Sequence, residues 1–145
     1  MNGVELFLLG RTLMKIGEEA LPEPPGGSDR YVGSTRTVLI VASDIATHPD
    51  TTVGATAART GLPQSQVSTA VARLKEAGSI ETAPDPADRR RMLVRPAAEA
   101  SSRVAEVRAA GIADALIAAL GEGDPQRLEE VMGALDVLAR HLLPD

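Results

Sequence analysis

The stretch TAARTGLPQSQVSTAVARLKEAGSIETAPDPADRRRMLVRP, residues 56–96, decides how this chain folds. Gly61 closes a short helical segment, residues 54–60, as a C-terminal residue that tolerates positive φ, and Leu62 with Pro63 makes a tight turn. From 64 to 77 the chain reads as helix again, with Val67, Ala70, Val71 and Leu74 on one stripe and Gly78 ending it. Two helices joined by so short a turn predict a helix-turn-helix. Residues 79–83 and 92–95 then read as short strands, and PDPADRRR between them as the loop of a β-hairpin. Arg89, Arg90 and Arg91 therefore stand at the end of a projecting ribbon, behind Asp85 and Asp88.

Working outward, Ser34 is an N-cap candidate for a helix over 34–48 in which Val38, Val41 and Ile45 share a face, and Pro49 stops it. The run 38–41 taken alone also fits a buried strand. The length of the segment, its lack of turn residues and the outward placement of Arg36 and Asp44 favour helix. A short TTV, residues 51–53, fills a strand position before the helix-turn-helix.

At the two ends the pattern repeats. Leu6, Leu9, Leu13, Ile16 and Ala20 follow a 3-4-3-4 spacing, and LPEPPGGSD after them reads as a connector. Beyond Pro96 a long helix is expected to about Leu120, followed by a last helix with Asp124 as cap and Pro125 at its first position. In that last helix Leu128, Val131, Leu135, Leu138 and Leu142 carry the same spacing. Two leucine stripes so far apart in sequence are expected to meet across a twofold homodimer.

Composition narrows the function. A chain of 145 residues, 43% hydrophobic and 24% charged, is long enough for one domain with a core. Aromatics are 1%, Phe7 and Tyr31 alone, which favours helices over a β-sandwich; with the hairpin over 79–95, a mainly α fold with a small β-wing is expected. Without cysteine there is no disulfide framework, thiolate zinc site or thiol switch. The N-terminal apolar run has Glu5 before it, no basic lead and no cleavage site, so a cytoplasmic protein without a membrane span is expected. His48 and His141 lie far apart, and no nucleophile triad, paired carboxylates, phosphate loop or metal spacing stands out; neither an enzyme nor a cofactor is expected. The formal net charge of −5 excludes a uniformly basic binder of nucleic acid. Between 59 and 95, however, Arg59, Arg73, Lys75, Arg89, Arg90, Arg91 and Arg95 outnumber Glu76, Glu81, Asp85 and Asp88.

These residues, above all VARLKEAGSIE and DPADRR followed by MLV, resemble the MarR (multiple-antibiotic-resistance regulator) family of bacterial winged-helix transcription factors. The resemblance implies a winged helix-turn-helix over residues 34–96, within a single domain of 1–145 whose segments 1–33 and 97–145 supply dimerisation helices and a linker. It implies double-stranded DNA as partner, a homodimer on a pseudo-palindromic site, and a small-molecule effector to which no residue is assigned; repression is expected because no activation surface or extra domain to recruit polymerase stands out. Gln64, Ser65, Gln66, Ser68, Thr69 and Arg73 would read the major groove, and Arg89, Arg90 and Arg91 would reach phosphates and the minor groove. Asp85 and Asp88 would accept backbone N–H groups and shape the wing. Two departures stand out: Pro96, Ala97 and Ala100 replace the family's Leu-Thr and later Gly, and Ala87 replaces a basic residue in the wing. With Ala72 at the centre of the reading face, Ala87 also keeps open a winged-helix module for protein interaction, without specific DNA binding.

Overall fold

Val41 and Ile45, one helical turn apart, are fully buried, and the core forms around them. They lie on a helix that the run 38–41 joins as helix and not as strand. The structure is a computed structural model and describes residues 1–22, 34–121 and 124–143; most of the expected connector, with Tyr31, lies outside the described residues. The first helix, α1, spans Gly3–Ala20 and the second, α2, spans Thr35–Thr47. Ser34 caps α2, its Oγ accepting from the Thr37 N–H at 3.1 Å.

After Pro49 the backbone turns at Asp50, with φ of +62°, and Thr51 forms a single antiparallel bridge with Val94. This bridge is all that stands for the strand expected over 51–53. Thr52 then caps α3 (Val53–Thr60), Gly61 closes it at φ of +71°, and α4 (Gln64–Glu76) follows. A hairpin of β1 (Ile80–Pro84) and β2 (Met92–Pro96) completes the lobe, in the register Ile80↔Pro96, Thr82↔Val94 and Pro84↔Met92.

The core joins Val41 and Ile45 to Val67, Ala70, Val71 and Leu74 of α4, Ile80 of β1 and Val94 of β2. Burial of each larger aliphatic side chain stabilises the fold by about 1.5–3 kcal/mol. The α4 stripe read from the sequence is thus the face that holds this helix down, and the opposite face is left outward. The chain is mainly α with a two-stranded antiparallel wing, a winged helix-turn-helix.

Downstream of the wing one expectation is corrected. The long helix expected between Pro96 and Leu120 is two helices, α5 (Ser102–Ala109) and α6 (Ala113–Leu120). Pro96 opens neither. Ala97 instead pairs with Ser79, its N–H donating to the Ser79 carbonyl at 3.0 Å, and Ser101 starts α5 by accepting the Val104 N–H at 3.3 Å. Gly111, which has the poorest helix propensity after proline, lies in the break.

The chain divides into two compact units, Glu23–Ala109, which contains the winged helix-turn-helix, and Met1–Pro22 with Ala110–Asp145. In the second unit α6 packs against α1 and against α7 (Pro125–Leu142), and its Ala115 and Leu116 are buried. Asn2 and Glu5 form a reciprocal capping box on α1 at 3.0 and 2.7 Å, and Asp124 caps α7 through the Gln126 N–H at 3.0 Å. Neither α1 nor α7 contains a buried residue. Leu13, Ile16, Leu128, Val131 and Leu135 of the two stripes are half-buried, while Leu6, Leu9, Leu138 and Leu142 are exposed, Leu142 by 74%. Among the described residues no helix is long and apolar enough to cross a membrane.

Candidate nucleic-acid interface

Because Val67, Ala70, Val71 and Leu74 point inward, the helical repeat turns Ser65, Gln66, Ser68 and Ala72 outward on α4. Gln64, Ser65, Gln66 and Ser68 are exposed, and Thr69 and Arg73 are half-buried at the edges of that face. The Thr69 hydroxyl donates to the Ser65 carbonyl at 3.0 Å, so it presents acceptor lone pairs outward and not its proton. Pro63 occupies the N-cap and no side chain caps this helix. Ser65 is therefore free of the capping duty its type often performs. The Gln66 N–H donates to the Pro63 carbonyl at 3.0 Å, and with no side-chain cap the positive end of the helix dipole is a favourable place for a phosphate.

The wing is built by its ladder and its acids. Past Pro84↔Met92 the ladder extends by the Asp85 N–H donating to the Arg91 carbonyl at 2.9 Å. The Arg91 N–H then donates to the Asp88 carbonyl at 2.9 Å, closing a four-residue turn over 88–91 whose corners are Arg89 and Arg90. The Asp85 carboxylate accepts the Ala87 N–H at 2.9 Å and that of Asp88 accepts the Arg90 N–H at 3.1 Å. Both aspartates are spent on the turn's own backbone. All three arginines are exposed, and with Lys75 they carry no ion pair among the described residues. Arg89 and Arg90 occupy the tip, whereas Arg91 stands one step down and lines a cleft of about 350 Å³ with Asp85, His48, Asp50 and Arg59.

Two cations counted in the basic stretch are absent from this face. Arg95 Nε lies 3.0 Å from Asp50 Oδ1 and 4.0 Å from Glu81 Oε1. Arg59 is engaged more fully, since its Nε and Nη2 donate to the two oxygens of Asp44 at 2.9 and 2.8 Å and Nη2 also donates to Thr51 Oγ1 at 2.6 Å. The Arg59 hydrogen bond holds the Asp44 carboxyl below the usual carboxylate range against the opposing effect of burial, and Thr56 and the charge of His48 add to the lowering. The same bond raises the Arg59 guanidinium. His48 ends α2, its backbone N–H donating to the Asp44 carbonyl at 2.9 Å with the ring Nδ1 3.2 Å from the same oxygen. Local periodicity offers no signal for a pair separated by fifteen residues, and the sequence reading missed it. The described residues contain no grouping of three or more His, Asp or Glu able to hold a metal ion.

Residues 33–91 match the model of the MarR family. No curated protein matches the chain. Among solved structures, the apo form of wild-type MarR from E. coli is similar, with a TM-score of 0.61 at 14% identity over 99% of this chain and 98% of that one. FabT from Streptococcus pneumoniae in complex with DNA gives a TM-score of 0.52 at 20% identity, covering 95% and 92%. The PcaV transcriptional regulator from Streptomyces coelicolor in complex with its natural ligand gives 0.51 at 19%, covering 91% and 89%. At such identities these are likenesses of fold.

Proposed function

We propose that this chain, whose residues 33–91 match the MarR family model and whose fold is that of a winged helix-turn-helix, is a regulator of transcription of that family that binds double-stranded DNA sequence-specifically. It acts as a homodimer on a pseudo-palindromic operator, represses, and is released by a small-molecule ligand. The observation that carries this reading is the pairing, in one compact unit, of an outward polar helix face with an arginine-tipped turn whose acids are occupied internally.

The chemistry follows. Ser68, Gln66 and Arg73 offer donors and acceptors of the kind that discriminate base edges in the major groove, with Gln suited to adenine and Arg to guanine. Gln64, Ser65 and Thr69 complete the reading face. Arg89 and Arg90 at the turn corners reach the flanking minor groove, and Arg91 and Lys75 add backbone phosphate contacts. The apolar side chains left exposed on α1 and α7, including Leu6, Leu9, Leu138 and Leu142, supply the surface for a second copy. In the dimer the half-sites lie about one helical turn of DNA apart. The relative solved with its natural ligand supports an effector, which acts by favouring a dimer whose recognition helices are spaced wrongly for the operator.

The test is fluorescence anisotropy against duplexes selected from a random pool, repeated at several salt concentrations. Enrichment of an inverted repeat with a log–log salt slope on the order of −5 to −9 is the expected result. Weak binding with no enriched sequence would overturn it and favour the protein-interaction module, for which exposed Ala72 and Ala87 speak.

A further inference from the structure

On α3, Arg59 is engaged within the protein. Three donor contacts from Arg59 are already made, two to Asp44 and one to Thr51. Asp44 is on α2 and its side chain is only 9% exposed. Thr51 is 7% exposed, and both of its backbone groups are given to Val94, the Thr51 N–H donating to the Val94 carbonyl at 3.1 Å and the Val94 N–H donating back at 2.7 Å. Val94 is itself buried and sits in β2 opposite Thr82 of β1. A continuous path thus runs from α2 through the guanidinium to Thr51 and into the base of the wing.

We propose that Arg59 is a positioning residue for the wing: with Asp44 and Thr51 it forms a clamp that sets the angle at which Arg89 and Arg90 are presented relative to α4. This rests on the reading of the chain as a DNA-binding protein. The geometry explains why the angle needs fixing. From Val94 out to Arg90 the chain runs four residues, a lever of about 13 Å at about 3.3 Å per residue, so a tilt of about 10° at the base moves the tip by about 2 Å. That exceeds the tolerance of a groove contact. On the side of Asp85, Arg91 and Leu93 the wing faces the cleft of about 350 Å³, so packing does not restrain it there. The clamp does. A guanidinium suits the task because its planar fork takes both carboxylate oxygens and still reaches a third acceptor, which a lysine ammonium cannot do with the same rigidity.

The cysteine-free chain allows a direct test. Spin labels at Glu76→Cys on the end of α4 and Ala87→Cys in the wing, diluted into unlabelled protein, report the wing-to-helix distance by pulsed electron resonance. In Arg59→Lys and in Thr51→Val, which keeps the branched shape but removes the acceptor, the distance distribution broadens. Affinity for the selected duplex falls about tenfold in either variant, and the loss disappears when Arg90→Ala is already present, because a mispositioned tip matters only while the tip binds. Discrimination at the bases read by α4 is unchanged. An unaltered distance distribution overturns the clamp, as does an affinity loss that is the same with and without Arg90→Ala, the signature of a direct phosphate contact. A broadened distribution in a protein that selects no duplex upholds the clamp and sinks the DNA-binding reading instead.

Discussion

Ser101 Oγ donates to the carbonyl of Ala77 at 2.5 Å, so the side chain that begins α5 also closes the end of α4. The same oxygen accepts the Val104 N–H. Where the resembled family places a threonine after the second wing strand, this chain has Ala97, and Ser101 takes the capping duty four residues later. Ser101→Ala is expected to destabilise the protein by about 1–2 kcal/mol, through loss of the cap and of a partner for a helix-end carbonyl. Equilibrium urea unfolding measures it; a midpoint equal to that of the wild type would show that water replaces both bonds at no cost.

Beside that contact Gly78 has φ of +75°, and a Cβ built on it would lie 3.0 Å from the Cβ of Ser101. Gly78→Ala combines left-handed strain with crowding against a side chain anchored at both ends, and a loss of about 1–3 kcal/mol is expected by the same unfolding assay. Gly61→Ala, with similar φ but open space around it, should cost less.

Acid stability should report Asp44. Its folded carboxyl is held below its ordinary value, chiefly by the Arg59 hydrogen bond. A depressed carboxylate contributes stability that is fully present above the unfolded value, near 4, and is lost as pH falls through the lower folded value. The stability difference between wild type and Asp44→Asn is therefore expected to be constant from neutral pH to about pH 5 and to shrink below about pH 4. A difference that is independent of pH down to acid unfolding would mean that the carboxylate's charge plays no part.

On DNA, the tip and the helix should fail differently. Arg89→Ala or Arg90→Ala removes a groove and phosphate contact, weakens binding across sequences and lowers the magnitude of the salt slope by about 1 per protomer. Gln66→Ala or Ser68→Ala should leave the salt slope alone and cost about 1–3 kcal/mol of discrimination at one base position in each half-site. Anisotropy titrations with single-base operator variants separate the two; a salt-slope change for Gln66→Ala would place that residue on the backbone instead.

The homodimer is tested at its apolar helices. Leu142 is 74% and Leu6 60% exposed in the single chain, and Leu142→Glu or Leu6→Glu would place a charge in the proposed interface. Sedimentation equilibrium should show a dimer for the wild type and monomers for either variant, with operator affinity lost alongside. A variant that remains dimeric would move the interface off these stripes.

The elements and the inward stripe of α4 were legible in the sequence because they depend on local rules. Periodicity puts Val67, Ala70, Val71 and Leu74 on one side whatever surrounds them, and Gly61, Pro63 and Gly78 punctuate the chain through their own backbone preferences. The hairpin was legible for the same reason, and its residues also carried the family resemblance. The break between α5 and α6 was not, since Ala-rich flanks mask one glycine and a cap that moved from 97 to 101. The fates of the cations were beyond the sequence altogether. Arg59, Arg95 and Arg90 are the same residue type in one basic stretch, and a charge count treats them alike. Only the tertiary fold brings Asp44 and Thr51 to Arg59 and Asp50 to Arg95 while leaving Arg90 at a turn corner without an ion pair among the described residues, because ion pairs form between groups that packing brings together, and spacing along the chain does not encode that.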